Sequence, residues 1–508
     1  MHKSPRSLLP PSMHALAPCV LALVLSACMM GPDFVRPTPE APDDWTAWHG
    51  GDASLKIPIG TGESLSPDWW RSFGDPVFDR LLQRAFEANP DLLTAALHFS
   101  QARVQRRMVD AQREPQLGVA GAVNRQRLSE NGAGSRVIRA IAGAQAEPFI
   151  ALVSEPFTLY QAGFDASWEL DLWGRVRRSV EAADTDVAYQ AALLDLARLS
   201  VASEVAQNYF ELRSAQQQIR LAREDIGALQ ERLGLLDARV RAGVVDHLDL
   251  DRQGAELAGL KAQLPVLLAQ ESVIANRIAL LLGQHPGTLA SELQARAEDP
   301  RPRLPDLAAG LPSELARRRP DIRATEARLH RATANIGIGQ ADLYPSIRIG
   351  AHFGTESYLT GAITDWGSRA WSIGPSINLP IFDQGRRRGV VQLRELEQQE
   401  AAVAYQRTVL QAWQEIDDAL SGYAAESQRL RNLEERGRMA RDAWELTQAR
   451  YNAGTVDFTV VLDTQRTYLQ ARRDMAASQG RLHTRFVAIN KAIGNVPPQA
   501  IVVSGAER

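Results

Sequence analysis

Three groups of side chains in this 508-residue chain could do chemistry. The first is a row of carboxylates, Asp165, Glu169 and Asp171, inside the stretch YQAGFDASWELDLWGR at 160–175. Even spacing places all three on one side of an extended chain, with Tyr160, Ala162, Phe164, Ala166, Trp168, Leu170 and Leu172 on the other. The second is Asp463 with Arg466, spaced i and i+3 and therefore sharing one helix face, with Thr459 a turn earlier. The third is His247 beside Asp246 and Asp249, which could suggest a metal site but is explained more simply by a turn exposed to solvent. No HExxH, P-loop or GxSxG pattern occurs, and the nine His are scattered. The expectation is a non-enzyme with no catalytic residue, no metal and no bound cofactor.

One residue does carry covalent chemistry. Lys3 and Arg6 form a basic start, 15–27 is apolar apart from Pro18, and Leu25-Ser26-Ala27-Cys28 follows. This resembles the bacterial lipobox. Cleavage before Cys28 would leave it as the first residue, carrying a covalent lipid (diacylglyceryl on the thiol and an N-acyl chain such as palmitate). Met29 rather than Asp follows it, which in such lipoproteins implies the outer membrane. Loss of the signal takes Cys19 with it, so no disulfide or Cys metal site is expected. It also takes Lys3 and Arg6, moving the net charge from −3 to −5, a near-neutral balance that gives no reason to expect nucleic acid.

The elements that must position these groups follow from the hydrophobic pattern. No run reaches the roughly 20 apolar residues of a membrane-spanning helix. The segment 28–67 is rich in Pro, Gly and Asp and reads as an extended tether behind the lipid. Helices are expected from Pro76 to about 88, broken at Asn89-Pro90-Asp91, and on to about 113. Strands are expected at 115–124 and 158–173, separated by a Gly-rich loop. Long helices follow at 175–240 and 246–282, the second with a kink expected at Pro265. The first would span on the order of 100 Å if continuous. Its Gly243 supplies a stop and Asp246 an N-cap.

The chain then repeats itself. Asn89-Pro90-Asp91-Leu92 returns as Arg319-Pro320-Asp321-Ile322, and the strands return at 344–354 and 371–382. Gly174 and Gly243 return as Gly385 and Gly454, both 211 residues later, so the long helices 386–451 and 457–494 match the first pair in length. Asp457 matches Asp246, and Asp251 lies 212 residues before Asp463. The domains are thus a signal (1–27), the tether (28–67), two repeats (68–300 and 301–497) and a tail (498–508).

Each half supplies two alternating strands of about the length that crosses an outer-membrane-type bilayer. A soluble sandwich fits badly, because four strands separated by very long helices are too few. They are also too few for a barrel, which needs about eight, and an open edge in lipid is not permitted. Several copies would have to close one barrel, with Asp165, Glu169 and Asp171 lining water. The long helices would pack as a cylinder or as a solid coiled coil, which periodicity does not separate.

From Trp69 to Pro497 the chain resembles the TolC-like outer-membrane efflux channels, in particular their NodT-like lipoprotein branch serving resistance-nodulation-division pumps. The resemblance rests on Trp69-Trp70-x-x-Phe73-x-Asp75-Pro76, Asn89-Pro90-Asp91-Leu92 and Trp168-Glu169-Leu170-Asp171-Leu172-Trp173-Gly174-x-x-Arg177 in the first half. In the second it rests on Arg319-Pro320-Asp321-Ile322 with Glu326, Tyr344-Pro345, Phe382-Asp383-x-Gly385-Arg386 and Tyr451-x-x-Gly454. It implies a mainly α fold with a transmembrane β-barrel: a homotrimer with 12 strands in the outer membrane and an α-helical barrel in the periplasm. It implies a passive conduit for small molecules such as drugs, docked to a periplasmic adaptor and an inner-membrane pump. The turns at Gly243, Asp246, Gly454 and Asp457 would meet the adaptor. In the family an Asp at the position of Asp463 narrows the channel end, near an Arg in an ion-pair network. Relatives often carry Leu one turn earlier, where this chain has Thr459, and Asp251 would be the repeat counterpart. Two alternatives remain: the same channel serving secreted polypeptide or metal ions, and a lipid-anchored coiled-coil scaffold without a pore.

Overall fold

The computed structural model describes residues 29–42, 47–57, 66–294, 314 and 318–498. The signal at 1–27, Cys28, the end of the tail and most of the connector between the repeats lie outside the described residues. Two compact units are present, and the helices Arg175–Arg241 and Arg386–Asn452 contribute residues to each.

The first unit contains residues up to Val35, Arg103–Asp186 and Leu329–Ala401. Its centre is a four-stranded antiparallel sheet in the order β1-β2-β3-β4: β1 Gln116–Gln126, β2 Phe157–Leu170, β3 Ser346–Ser357 and β4 Arg369–Asn378. Among the described residues β1 and β4 each have one unpaired edge. The loop between β1 and β2, expected to be irregular, contains two short helices, α3 Ala133–Ala142 and α4 Ala146–Val153. The glycines that had marked a loop bound the first of them, Gly132 at its N-cap and Gly143 (φ +53°) at its C-cap.

The second unit contains Arg36–Ala102, Val187–Arg328 and the residues from Ala402 on. It holds α1 Pro76–Ala88, most of α2 Pro90–Asp110 and the body of the long helices. These are α5 Arg175–Arg241 and α6 His247–Leu281, then, after α7 Pro320–Ala341, α8 Arg386–Asn452 and α9 Phe458–Ala492. The duplication is exact in these elements: α5 and α8 have 67 residues each, α6 and α9 have 35 each. α1 starts where the sequence demands. Pro76 takes the first helical position and the Asp75 carboxylate accepts from the amides of Val77 and Phe78 (2.9 and 3.3 Å). The same Asp75 accepts the Tyr209 hydroxyl, tying α1 to α5. Around this joint lies an aromatic core, in which Phe73 meets Phe210 and Phe486 (4.6 and 5.3 Å) and Phe78 stacks on Tyr209 (5.1 Å).

One expectation changes in α6, which continues as helix on both sides of Pro265. It is also, by length and composition, a helix apolar enough to cross a membrane. The reason is its run of Leu, Val, Ile and Ala after Pro265, in which Glu271 and Arg277 are the charges and Gln270, Ser272 and Asn276 the other polar residues that break the apolar count. Val266, Val273 and Leu280 of this helix are exposed in the single chain.

The extended segment that follows Cys28 is pinned to each unit in turn. In the first, Met30 N–H donates to the Trp173 carbonyl (3.1 Å). Arg178, 1% exposed, donates to the carbonyls of Met30 and Gly31 and to the carboxylates of Asp33 and Glu181. Gly31 has a φ of +90°, and a Cβ there would lie 2.4 Å from Gly337 Cα, so the position requires glycine. In the second unit Arg36 pairs with Glu326, Trp48 packs edge-on against Trp413, and His49 pairs with Asp417 (2.7 Å).

Candidate functional site

The register of the sheet sorts its residues into two unlike faces. One carries Leu117, Val119 and Val123 of β1, Tyr160, Phe164 and Trp168 of β2, Ile347, Ile349 and Phe353 of β3, and Trp371, Ile373 and Ile377 of β4. The other carries Gln116 and Asn124, Gln161, Asp165 and Glu169, Arg348, His352 and Glu356, and Ser372 and Ser376. Most of the large residues on the apolar face are exposed in the chain: Val119 is 76% exposed, Trp371 71% and Ile373 70%. Such a face has no place in water and suits lipid.

On the polar face, cross-strand neighbours form polar pairs. Asp165 opposes His352 and bonds it (2.8 Å), Gln161 donates to Glu356 (3.0 Å), and Glu169 accepts from Arg348 (3.2 Å). Glu169 also receives a two-pronged bond from Arg175 at the start of α5 (2.7 and 2.9 Å). Gly163 lies opposite Gly354, and a Cβ on Gly163 would come within 2.9 Å of the Gly354 Cα and of the His352 ring. Asp165 and Glu169 thus sit on the polar face as expected. Asp171 does not belong to the strand, which ends at Leu170. Its carboxylate accepts from the amides of Val176 and Arg177 (2.9 Å each) and so caps α5. Arg348, His352 and Glu356 were missed by sequence reading. The signal was present, because they alternate with Ile347, Ile349, Ala351 and Phe353.

The two helix-end turns are built alike. Gly243 (φ +73°) and Gly454 (φ +71°) take the left-handed conformation, and Val244 and Thr455 amides return to the carbonyls of Arg239 and Arg450 (3.0 and 2.9 Å). Asp246 caps α6 through the Leu248 amide (3.4 Å), whereas Asp457 makes no side-chain cap bond. Beneath them Leu236, Phe458, Val461 and Leu462 form a small core.

Asp463 and Asp251 are both exposed within the chain. Arg466 does not pair with Asp463 although the two share a helix face. It donates instead to Glu256 of α6 (2.7 Å). Thr459 accepts from Arg252 of α6 (2.9 Å). Two polar ties therefore bind α6 to α9 near these turns, and neither partner on α6 was visible in the linear sequence. Asp249 lies near Asp246 and Asp457. Burial, with these like charges adding, holds its carboxyl above the usual range against the opposing pull of Arg252. Among the described residues no group of His, Cys, Asp or Glu is arranged to hold a metal, His247 included.

Known proteins agree with this geometry. The family described as "Outer membrane efflux protein" matches residues 81–284 and 311–495. Outer membrane protein OprJ of Pseudomonas aeruginosa is 32% identical over 452 residues, covering 88% of each chain. The pyoverdine export outer membrane protein OpmQ of Pseudomonas putida is 30% identical over 444 residues, covering 87% of this chain and 91% of its own. Among solved structures, the outer-membrane channel OprN superposes with a TM-score of 0.81 at 31% identity over 92% of this chain and 99% of its own. The open state of the Neisseria gonorrhoeae MtrE outer membrane channel gives 0.75 at 28% identity over 92% and 98%. With a sheet apolar on one face and charged on the other, joined to a duplicated set of long helices, the chain belongs to the outer membrane efflux proteins: it is an outer-membrane channel with its helical barrel in the periplasm, and not an enzyme.

Proposed function

We propose that three copies close a 12-stranded barrel through their β1 and β4 edges, and that the assembly carries small amphiphilic molecules out of the cell from a periplasmic adaptor and an inner-membrane pump of the resistance-nodulation-division type. The observation that carries the reading is the sheet itself. Its apolar face needs lipid, its polar face needs water, and its two free edges find no partner among the described residues. Two copies would reach the minimum of about eight strands, and the TolC-like neighbours support three. The names of relatives favour small cargo: pyoverdine for one, toluene for another and antibiotics for a third.

The same reading assigns the remaining residues. Asp165, Glu169, Arg348 and His352 line the barrel lumen. The Gly243–Asp246 and Gly454–Asp457 turns meet the adaptor. A ring of Asp463 from the copies narrows the resting periplasmic end, and the Arg466–Glu256 and Arg252–Thr459 ties hold α6 against α9 until adaptor and pump spread them. The lipid on Cys28 holds the docked N-terminal segment at the membrane. The test is intracellular accumulation of dyes and amphiphilic antibiotics in cells with and without the protein. Accumulation rises on deletion and falls again with the wild type. Restoration by Cys28→Ser as well would keep the channel and remove the lipid from its requirements. No rise in a strain lacking other such channels would overturn small-molecule export.

A further inference from the structure

The lipid-facing side of the sheet carries only two charged residues among its described positions, and both sit at the same end. On β1 the outward parity runs Leu117, Val119, Gly121, Val123 and then Arg125. On β4 it runs Arg369, then Trp371, Ile373, Pro375 and Ile377. β2 and β3 place no charge on this face: its polar positions there are Thr158, Tyr160, Thr355 and Ser357. Arg125 and Arg369 lie at the hairpin-loop end of the sheet, opposite the end that feeds α5 and α8, and hence in the outer leaflet. The other end of the same face finishes on Leu117, Leu170, Ile347 and Ile377, with no charge. An arginine is tolerated near a membrane surface, but tolerance alone would not restrict the cations to one leaflet.

The placement is also specific in the plane of the sheet. β1 and β4 are the two edge strands, and in a closed barrel the β1 of one copy adjoins the β4 of the next. Closure therefore brings Arg125 of one copy to the same seam and the same rim as an Arg369 from its neighbour. Arg369 is already oriented: its Nε donates to the Trp366 carbonyl (2.6 Å) and its guanidinium lies over the Trp366 ring. Among the described residues neither Arg125 nor Arg369 meets a carboxylate, whereas Arg127 and Arg139 nearby are paired with Glu130 and Glu147. Trp366 and Trp371, 76% and 71% exposed, flank Arg369 with apolar surface for acyl chains.

We propose that each subunit seam is a binding site for a phosphorylated glycolipid headgroup of the outer leaflet, with Arg125 and Arg369 holding a phosphate as charge-assisted donors. The site rests on closure of the barrel by copies of the chain, so a failure to form oligomers would count against that closure and not against the arginines. The ligand is recognised by phosphate on an acylated sugar, which free phosphate and glycerophospholipid share only in part.

The test uses the purified full-length oligomer in mild detergent, titrated with bisphosphorylated lipid A and followed by native mass spectrometry. Wild type is expected to retain lipid A at least tenfold better than its dephosphorylated form. R125Q and R369Q are each expected to lower retention, and the double variant to abolish the preference while its oligomer band is unchanged. Lysine at both positions should restore part of the preference, because charge survives and the two-pronged geometry does not. Unchanged retention in the double variant overturns the proposal. Displacement by millimolar inorganic phosphate assigns the site to the free anion and overturns the lipid, and equal retention of phosphatidylglycerol overturns the restriction to the outer-leaflet headgroup.

Discussion

At the scale of single residues, the periplasmic end is held by polar ties of small individual strength. Exposed ion pairs such as Arg466–Glu256 are worth ~0.2–1 kcal/mol each. Removing one therefore shifts an opening equilibrium by up to about fivefold per subunit, and symmetry repeats the shift in every copy. Arg466→Ala and Glu256→Gln are expected to raise the open probability of the isolated channel in planar bilayers by similar factors, and the double variant by no more than either alone. Asp463→Ala is expected to raise conductance independently of Glu256, because the structure separates the two groups. Unchanged conductance in Asp463→Ala would remove the Asp ring from the gate. A second residue-scale effect concerns His49. The bond to Asp417, reinforced by the Asp52 carbonyl, raises its pKa above 6.5. The sign follows from linkage. Docking of 47–57 on α8 is fully supported below the unfolded value of 6.5 and weakens as pH rises through the raised folded value. Amide exchange of 50–57 should accelerate as pH rises above 6.5 in wild type, and be fast and pH-flat, after correction for intrinsic exchange, in His49→Ala.

At the scale of elements, the duplication extends to how each return helix is finished. Asn89, 1% exposed, donates from Nδ2 to the Leu281 carbonyl at the end of α6 (2.9 Å). Arg319, 5% exposed, donates to the Ala492 carbonyl at the end of α9 (2.6 Å). Both precede the proline that opens α2 or α7, so one motif starts one helix and caps another. Asn89→Ala is expected to cost about 1–2 kcal/mol of unfolding free energy, since it leaves a buried carbonyl unpaired. Arg319→Met should cost more, about 2–3 kcal/mol, because Asp321 loses a paired cation as well. Denaturant unfolding of the two variants measures both, and equal loss in the two would contradict the assignment.

What could be read from the sequence follows the range of each interaction. Strand alternation is a property of neighbouring residues, so the two faces of β2 were visible without a fold. The 211-residue offset is internal to the chain, so the equal lengths of α5 and α8 were visible too. The strand ends were less so: β2 stops at Leu170, three residues early, because Asp171 turns its carboxylate to the α5 amides. The partner of Arg466 was hidden because it depends on the register between α6 and α9, 210 residues apart along the chain. The pairing of Asp165 with His352 was hidden for the same reason. The docking of the N-terminal segment had no signal at all, since an extended segment without periodicity takes its position from distant partners such as Arg178, Trp413 and Asp417.

At the scale of the molecule, everything depends on closure. A single chain exposes Leu, Val, Ile and Trp on its sheet and leaves two strand edges unpaired. Both defects disappear when identical copies join edge to edge around an axis, which is the closed cyclic solution. The most direct measurement is covalent capture of the seam. Ala122→Cys on β1 and Ser372→Cys on β4 occupy the water-facing parity of opposite edges. Treatment of the membrane-embedded double variant with a short bismaleimide is expected to give a ladder that stops at three chains, and neither single variant should give it. A ladder that ends at two chains or runs past three, or monomers alone despite full labelling of both thiols, would contradict a channel closed by three copies.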